Sequence, residues 1–197
     1  GFHERAKEPF CRLMSAPPRL FDRDLHRKRL DRAAPVFADA DFLKRRAAED
    51  AVLRLEAIMR EFPRAVDLSA RNGAFRDALS VSDARARIGW LAETDLSPAM
   101  LGGRGGPRLV ADEERLPFAP GSLDLVVSTL ALHWVNDVIG ALIQIRRALK
   151  PDGLFIGAFL GGATLTELRQ SLMAAEGEIL GGAGSRVSPF ADASDAA

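Results

Sequence analysis

The stretch that most limits what this chain can become is residues 112–159, DEERLPFAPGSLDLVVSTLALHWVNDVIGALIQIRRALKPDGLFIGAF. Within it residues 123–130 form a nearly continuous apolar run of strand length, broken only by Asp124 and by Ser128-Thr129. Such a run reads as a strand covered on both faces, which places it inside a parallel sheet. Asn136-Asp137 then offers an N-cap, and Val138, Ala141, Leu142, Ile145 and Leu149 recur at the spacing of an amphipathic helix. Arg146, Arg147 and Lys150 gather in its last turn, where a helix carries partial negative charge, and Pro151-Asp152-Gly153 ends it. A second apolar run, residues 154–160, follows directly. Strand, helix, tight turn and strand make a βαβ crossover, so the chain is expected to be α/β, with its ligand beyond the carboxyl ends of the strands.

The remaining elements follow from period and punctuation. Residues 1–40 read as an N-terminal arm broken by Pro17-Pro18 and Pro35, with a short helix over residues 20–30. Asp41 caps a helix whose stripe is Ala48, Val52, Leu55, Met59 and Phe62, with Lys44, Arg45, Asp50, Arg54 and Arg60 toward water and Pro63 closing it. Residues 65–68, 87–93 and 108–111 read as three strands, the last short and at an edge, and residues 73–79 as a helix. Ser97 and Pro98 suit the cap and first turn of another helix. Residues 102–107 are a glycine-rich surface loop. Thr164 and Glu167 form a capping box for a last helix that lines up Leu165, Leu168, Leu172, Ala175 and Ile179. The expected organisation is an arm over residues 1–40, one domain over 41–190 and a tail over 191–197, the Gly-, Ala-, Ser- and Asp-rich end of the chain being disordered.

Composition narrows the function classes. With 197 residues the chain suits one domain, and its 27 basic and 27 acidic residues argue against nucleic acid as the main partner. The nine Lys/Arg among the first 35 residues read as a solvated face, since five acids lie among them. Cys11 is the only cysteine, which excludes an internal disulfide and suits a reducing compartment. No run approaches the ~18 apolar residues of a membrane span, and the acids of the arm do not suit a targeting peptide, so the expectation is a soluble, cytoplasmic protein of bacterial type. Met14 offers a start, which would make residues 1–13 an upstream extension. His3, His26 and His133 are too scattered for a metal site.

Several spaced motifs together resemble a known family: Asp112-x-x-x-Leu116-Pro117-Phe118, Ser122-x-Asp124-x-Val126, Ala131-x-His133-Trp134-Val135 and Leu149-x-Pro151-x-Gly153. They are similar, in order, to those of the class I S-adenosylmethionine-dependent methyltransferases, the branch often called type 11. The wording Leu132-His133-Trp134-Val135, Ile143-Gln144-Ile145-Arg146-Arg147 and residues 164–169 is more particular. It resembles bacterial relatives of a mitochondrial complex I assembly factor to which arginine hydroxylation is attributed. The resemblance covers residues 19–190. It implies a Rossmann-like three-layer sandwich, a central mostly parallel sheet with helices on both faces, and an arm across the active-site mouth. It also implies two further strands in an antiparallel hairpin, for which no sequence remains, so the fifth strand is a covered edge or the chain is a fragment.

The resemblance also implies S-adenosylmethionine as cofactor. The turn Val66-Asp67-Leu68-Ser69-Ala70-Arg71-Asn72-Gly73 stands where backbone N–H groups at a helix start meet a ligand. The family pattern places glycines at the second, fourth and sixth positions after the acid; Gly73 is kept, while Ser69 and Arg71 replace the others. Arg71 either fills the space of the cofactor's methionine end or pairs with its carboxylate; the bland alternative is a surface arginine on a tight turn. Asp95, 28 residues after Asp67, is assigned the two ribose hydroxyls with Leu96 beside it, and Asp112 with Glu113 the adenine. Ser128 and Leu130 are assigned the wall under the sulfonium, with Trp134 lining the mouth; His133 is counted with the cofactor-binding residues, the bland alternative being a packed histidine near the end of a buried strand. No acid or base stands out as catalytic, which suits a reaction whose leaving group belongs to the cofactor.

Three functions stay open: a methyltransferase acting on a small molecule or a protein, a protein-arginine hydroxylase acting on a complex I subunit, and a non-catalytic assembly module with a degenerate cofactor turn.

Overall fold

The computed structural model describes residues 19–103, 105–188 and 190. Expectations for Cys11, Met14, His3, Pro17-Pro18 and residues 191–197 fall outside the described residues. Five strands form one parallel sheet: β1 (Phe62–Leu68), β2 (Ile88–Asp95), β3 (Arg108–Val110), β4 (Leu123–Thr129) and β5 (Leu149–Ala158). Their order is β3-β2-β1-β4-β5, so the winding reverses between β1 and β4. That reversal opens a crevice at the strands' carboxyl ends, where ligands of such sheets bind.

Alternation along the strands divides the core. Ala65, Leu91, Leu125 and Val127 pack toward α2 (Phe42–Glu56) and α3 (Ala74–Ser80), against Ala48, Val52, Leu55, Phe75 and Leu79. Val66, Leu68, Ala92, Leu123 and Val126 face the opposite way, against Ala141, Ile145 and Ala148 of α4 (Val138–Ala148). β4 is buried along its whole length, the condition its apolar run predicts. The helix α4 is capped by Asp137, whose carboxylate accepts from Gly140 N at 2.7 Å.

Several boundaries differ from the sequence reading. Helix α2 stops at Glu56; Met59 is 87% exposed, and Phe62 belongs to β1. Asp41 occupies the cap position without capping, because its carboxylate is held by Arg45 and Asn72. Lys44, expected in water, is 4% exposed. Ser97 Oγ accepts from Met100 N at 3.1 Å as a cap would, but the segment continues only as turns. Pro151-Asp152-Gly153 does not end α4; it lies inside β5 as a register shift, with Asp152 at φ 62°. The last helix, α5 (Thr166–Leu180), has Leu165 at its cap at φ 58° and no capping box, and none of its residues is buried. Its apolar stripe is therefore unused within the described residues, and β5 pairs only with β4.

The arm supplies α1 (Arg23–Ala33) and a 3-10 turn (Ala34–Asp39). Leu30 packs on Leu96 and Met100, fixing α1 beside the end of β2. Among the described residues no helix is long and apolar enough to cross a membrane.

Glycine positions give a paired stability test. A Cβ on Gly89 would stand 2.8 Å from the Pro63 carbonyl oxygen of the neighbouring strand, whereas one on Gly177 of α5 meets nothing within 4 Å. Gly89→Ala should destabilise by about 1–3 kcal/mol and Gly177→Ala should stabilise α5 by about 0.5–1 kcal/mol. Urea unfolding and amide exchange of α5 check the two signs.

Candidate functional site

The carboxyl ends of β1, β2 and β4, with the segment after β3, bring together most of the residues that the sequence singles out. Asp67, Ser69, Asp95, Ser128 and Thr129 are fully buried there, Glu113 is 1% exposed and Arg71 4%. The turn after β1 keeps the backbone course of a glycine turn without its glycines: φ is 65° at Ser69, 54° at Arg71 and 80° at Gly73, which caps α3. Left-handed backbone costs a residue with a Cβ roughly 1 kcal/mol, so something must hold Ser69 and Arg71 there.

Side chains do so. Arg71 N and Nη1 donate to Asp95 Oδ2 at 3.0 and 2.7 Å, and Ser97 N donates to Oδ1 at 2.9 Å. Arg71 is therefore not a surface arginine; it forms a buried pair with Asp95, the acid assigned to the ribose. Ser69 Oγ donates to Glu113. Lys44 Nζ donates to Ser69 O at 2.9 Å and to Thr129 O and Oγ1 at 2.7 Å each. From α1, Arg23 donates to Asp112 Oδ1 at 2.7 Å, to Glu113, and to the Trp134 carbonyl at 2.9 Å. The arm is clasped further by Phe21 N donating to Asn136 Oδ1 at 2.8 Å and by Ser97 Oγ donating to Asp31 at 2.5 Å.

The mouth of the crevice is aromatic. His26 stacks on Trp134 at 5.1 Å, Phe21 meets its edge at 5.5 Å, and His133 lies 5.6 Å from Trp134 and 6.2 Å from Phe190. Trp134 stays 36% exposed. Leu130 sits at φ 53° just past β4. Leu96 packs with Leu30 and Met100 where the arm meets the end of β2.

Burial dominates the electrostatics. It pushes the Asp67 carboxyl up to about 6, an effect moderated by Lys44 and reinforced by Glu93 and Asp95. It pushes Lys44 down to about 8, against the attraction of Asp67. Burial and then the charge of Arg71 hold His26 and His133 down at about 4. Among the described residues both Asp67 oxygens, Ser128 Oγ and His133 Nδ1 are buried without a hydrogen-bond partner. Buried polar atoms of that kind at the end of a sheet are what a polar ligand would complete.

Known proteins share this sequence in part and this fold. Residues 66–157 match the family described as Methyltransferase domain. The chain has the class I methyltransferase fold. The human protein named arginine-hydroxylase NDUFAF5, mitochondrial, is 42% identical over 183 residues, which are 89% of this chain and 52% of that protein. The malonyl-[acyl-carrier protein] O-methyltransferase of Laribacter hongkongensis is 36% identical over 172 residues, 79% of this chain and 57% of that protein. The crystal structure of an S-adenosylmethionine-dependent methyltransferase from Thermotoga maritima superposes with a TM-score of 0.56 at 20% identity, covering 85% of this chain and 75% of that one. The chain thus spans about half the length of the curated relatives it matches.

The cofactor of this methyltransferase fold is S-adenosylmethionine, and the residues present fit it. Acids stand at the carboxyl ends of β1 and β2 and just past β3, and the unpartnered oxygens of Asp67 and Ser128, acceptors for a polar ligand, lie on the two strands flanking the crevice. Sequence reasoning missed Arg23, Lys44, Asn136 and His26. For Lys44 a signal exists, since it lies four residues before Ala48 on the buried stripe of α2.

Two outcomes are expected. Arg71→Met leaves Asp95 buried without its guanidinium and should cost about 3 kcal/mol, much of it recovered in the Arg71→Met/Asp95→Asn double variant, as read by denaturant unfolding. The second concerns acid. Below 6.5 the unfolded chain binds protons that buried His26 and His133 refuse until about 4, so stability falls as pH drops through that window. Asp67, raised from 3.8 to about 6, acts the opposite way because the folded state holds its proton more tightly. His133→Gln should flatten the loss between pH 6.5 and 4.5, and Asp67→Asn should steepen it, in urea titrations across that range.

Proposed function

We propose that this chain is the cofactor-binding part of an S-adenosylmethionine-dependent methyltransferase whose acceptor is a small molecule or a protein. The observation that carries the reading is the turn after β1: Ser69, Arg71 and Gly73 keep three left-handed backbone positions at the sheet's switch point, although two of them are not glycine. Strained non-glycine backbone clusters at ligand sites, and here it stands beside the crevice where the winding reverses. On this reading Asp95 receives the ribose hydroxyls, Asp112 and Glu113 face the adenine, and Asp67 with the turn's amides faces the methionine end. Ser128, Leu130 and His133 wall the reacting centre. When bound, the cofactor supplies a methyl group on a sulfonium leaving group, and the protein's work is alignment and exclusion of water. The arm, with Phe21, His26 and Trp134 stacked over the crevice, serves the second purpose.

A second reading is supported by the identity to relatives named arginine hydroxylase, which is higher and spans more of the chain than that to the malonyl-acyl-carrier-protein methyltransferase. On it the same cleft belongs to an enzyme modifying protein arginine, with a respiratory complex I subunit as substrate. Two incubations with arginine-containing peptides separate the two: with S-adenosylmethionine, methyl transfer adds a methylene to the acceptor's mass, whereas in air with an added two-electron reductant, hydroxylation adds one oxygen atom while the other leaves as water.

Cofactor binding is tested first and without turnover. A ligand at 100 times its dissociation constant adds about 2.7 kcal/mol of stability, so S-adenosylmethionine should raise the melting temperature by several degrees. Asp112→Ala should weaken that binding about tenfold in calorimetric titration. No shift at millimolar cofactor, and no heat of binding, would reject the methyltransferase reading and favour a non-catalytic module.

A further inference from the structure

The cation with the least obvious reason to be where it is belongs to α2, the helix before β1. Lys44 is 4% exposed and uses its ammonium on three acceptors at once, Ser69 O, Thr129 O and Thr129 Oγ1, at 2.7–2.9 Å. These acceptors sit just past β1 and at the end of β4, the two strands between which the winding reverses. Ser69 is also the first left-handed residue of the cofactor turn. Its carbonyl has left the sheet's hydrogen-bond ladder, for the ladder is resumed one residue later by Ala70 N donating to Thr94 O at 2.8 Å. A buried carbonyl without a partner is costly, and a residue with a Cβ gains nothing from left-handed backbone unless a specific bond rewards it.

We propose that Lys44 is a positioning residue for the cofactor: its ammonium bridges β1 and β4 across the switch point and holds the Ser69-Ala70-Arg71 turn in the course that receives the ligand. The proposal rests on the reading that S-adenosylmethionine binds in this crevice. Lys44 acts through Ser69 and Thr129, doing with a charged side chain what glycines do elsewhere by having none.

Charge gives the bridge a pH signature. The groups facing Lys44 are Asp67 on β1, Asp95 on β2 and Glu113 after β3, which favour its charged form, and Arg71 in the turn, which with burial disfavours it. Burial is the largest influence and brings the ammonium to about 8. As pH rises through that value the amine loses its charge and one donor, so the turn is released. Global stability runs the other way: the unfolded lysine stays protonated to 10.5 and the folded one does not, so unfolding becomes harder between about 8 and 10.5. A lysine that only filled space would give the second trend through its burial but not the first.

The test compares wild type with Lys44→Arg, Lys44→Met and Thr129→Val, the last removing one acceptor without touching any charge. Two readouts are taken on the full chain. Amide exchange at residues 70–73, without cofactor, should quicken tenfold or more in Lys44→Met and two- to fivefold in Thr129→Val, and stay near wild type in Lys44→Arg. Calorimetric titration with S-adenosylmethionine should show affinity at least tenfold weaker in Lys44→Met. Wild-type affinity should fall as pH rises through 8, while Lys44→Arg, charged throughout, stays level. Unchanged exchange and affinity in Thr129→Val together with a level wild-type pH profile overturn the proposal, even should Lys44→Met fail to fold. Wild type that binds no cofactor, while Thr129→Val still loosens residues 70–73, overturns the cofactor reading and leaves the bridge standing as a tether of the turn.

Discussion

Four carboxylates lie buried at the carboxyl edge of this sheet, and the placement of everything around them follows from the need to neutralise them. Asp67, Glu93 and Asp95 are fully buried and Glu113 is 1% exposed. Charge taken out of water this completely is tolerated only when paired or protonated. The cations come from separate elements: Arg23 from the arm, Lys44 from α2, Arg71 from the turn, and Arg76 of α3, 3.2 Å from Glu93. Each element is thereby tied to the crevice by charge, in addition to whatever apolar face it buries. Asp67 shows the limit of the arrangement: with no hydrogen-bond donor of its own among the described residues, it relies on a raised affinity for protons.

This tie explains the arm better than its hydrophobicity does. Helix α1 buries a single residue, Leu30, and such an element would have little hold on a domain by apolar contact alone. Arg23 at its first position reaches Asp112, Glu113 and the Trp134 carbonyl, while His26 and Phe21 pack on the Trp134 ring. A guanidinium with several fixed acceptors loses little freedom per bond, which suits it to clasping a short helix. The same contacts tie the arm to Asp112 and Glu113, the acids that the proposed reading assigns to the adenine.

The parts of the fold legible in the sequence are those written in periodicity. The run of β4, the stripe of α4 and the short apolar run of β1 all report burial, and burial is what a hydrophobic pattern encodes. Helix ends, strand ends and the bulge in β5 depend on which neighbour a backbone group finds, so Pro151-Asp152-Gly153 reads as a helix stop although it lies within a strand. The candidate site is legible where an acid stands at a strand tip: Asp67, Asp95 and Asp112 all lie at the end they suggest. Its cations are not. Lys44 and Arg23 read as solvated because charge is the strongest local cue, while their partners lie 25 to 111 residues away in sequence. The apolar stripe of α5 shows the converse, a pattern with nothing to pack on among the described residues.

The turn after β1 shows why a departure from a motif differs from loss of the structure behind it. Glycine is favoured at left-handed positions because it avoids a penalty of roughly 1 kcal/mol, not because the backbone course requires it. Arg71 meets that penalty and then contributes a buried pair with Asp95 through both its amide and its guanidinium, bonds a glycine could make only in part. Ser69 meets it too, and gains Glu113 through its hydroxyl and Lys44 through its carbonyl. Charge-assisted bonds in a buried setting each exceed the strain they offset. The two replacements are therefore coupled to their partners: Arg71 is tolerable because Asp95 is present, and Ser69 because Lys44 reaches it from another element. A reading confined to the turn's own residues sees two missing glycines, whereas the fold holds one turn fixed by side chains from three directions.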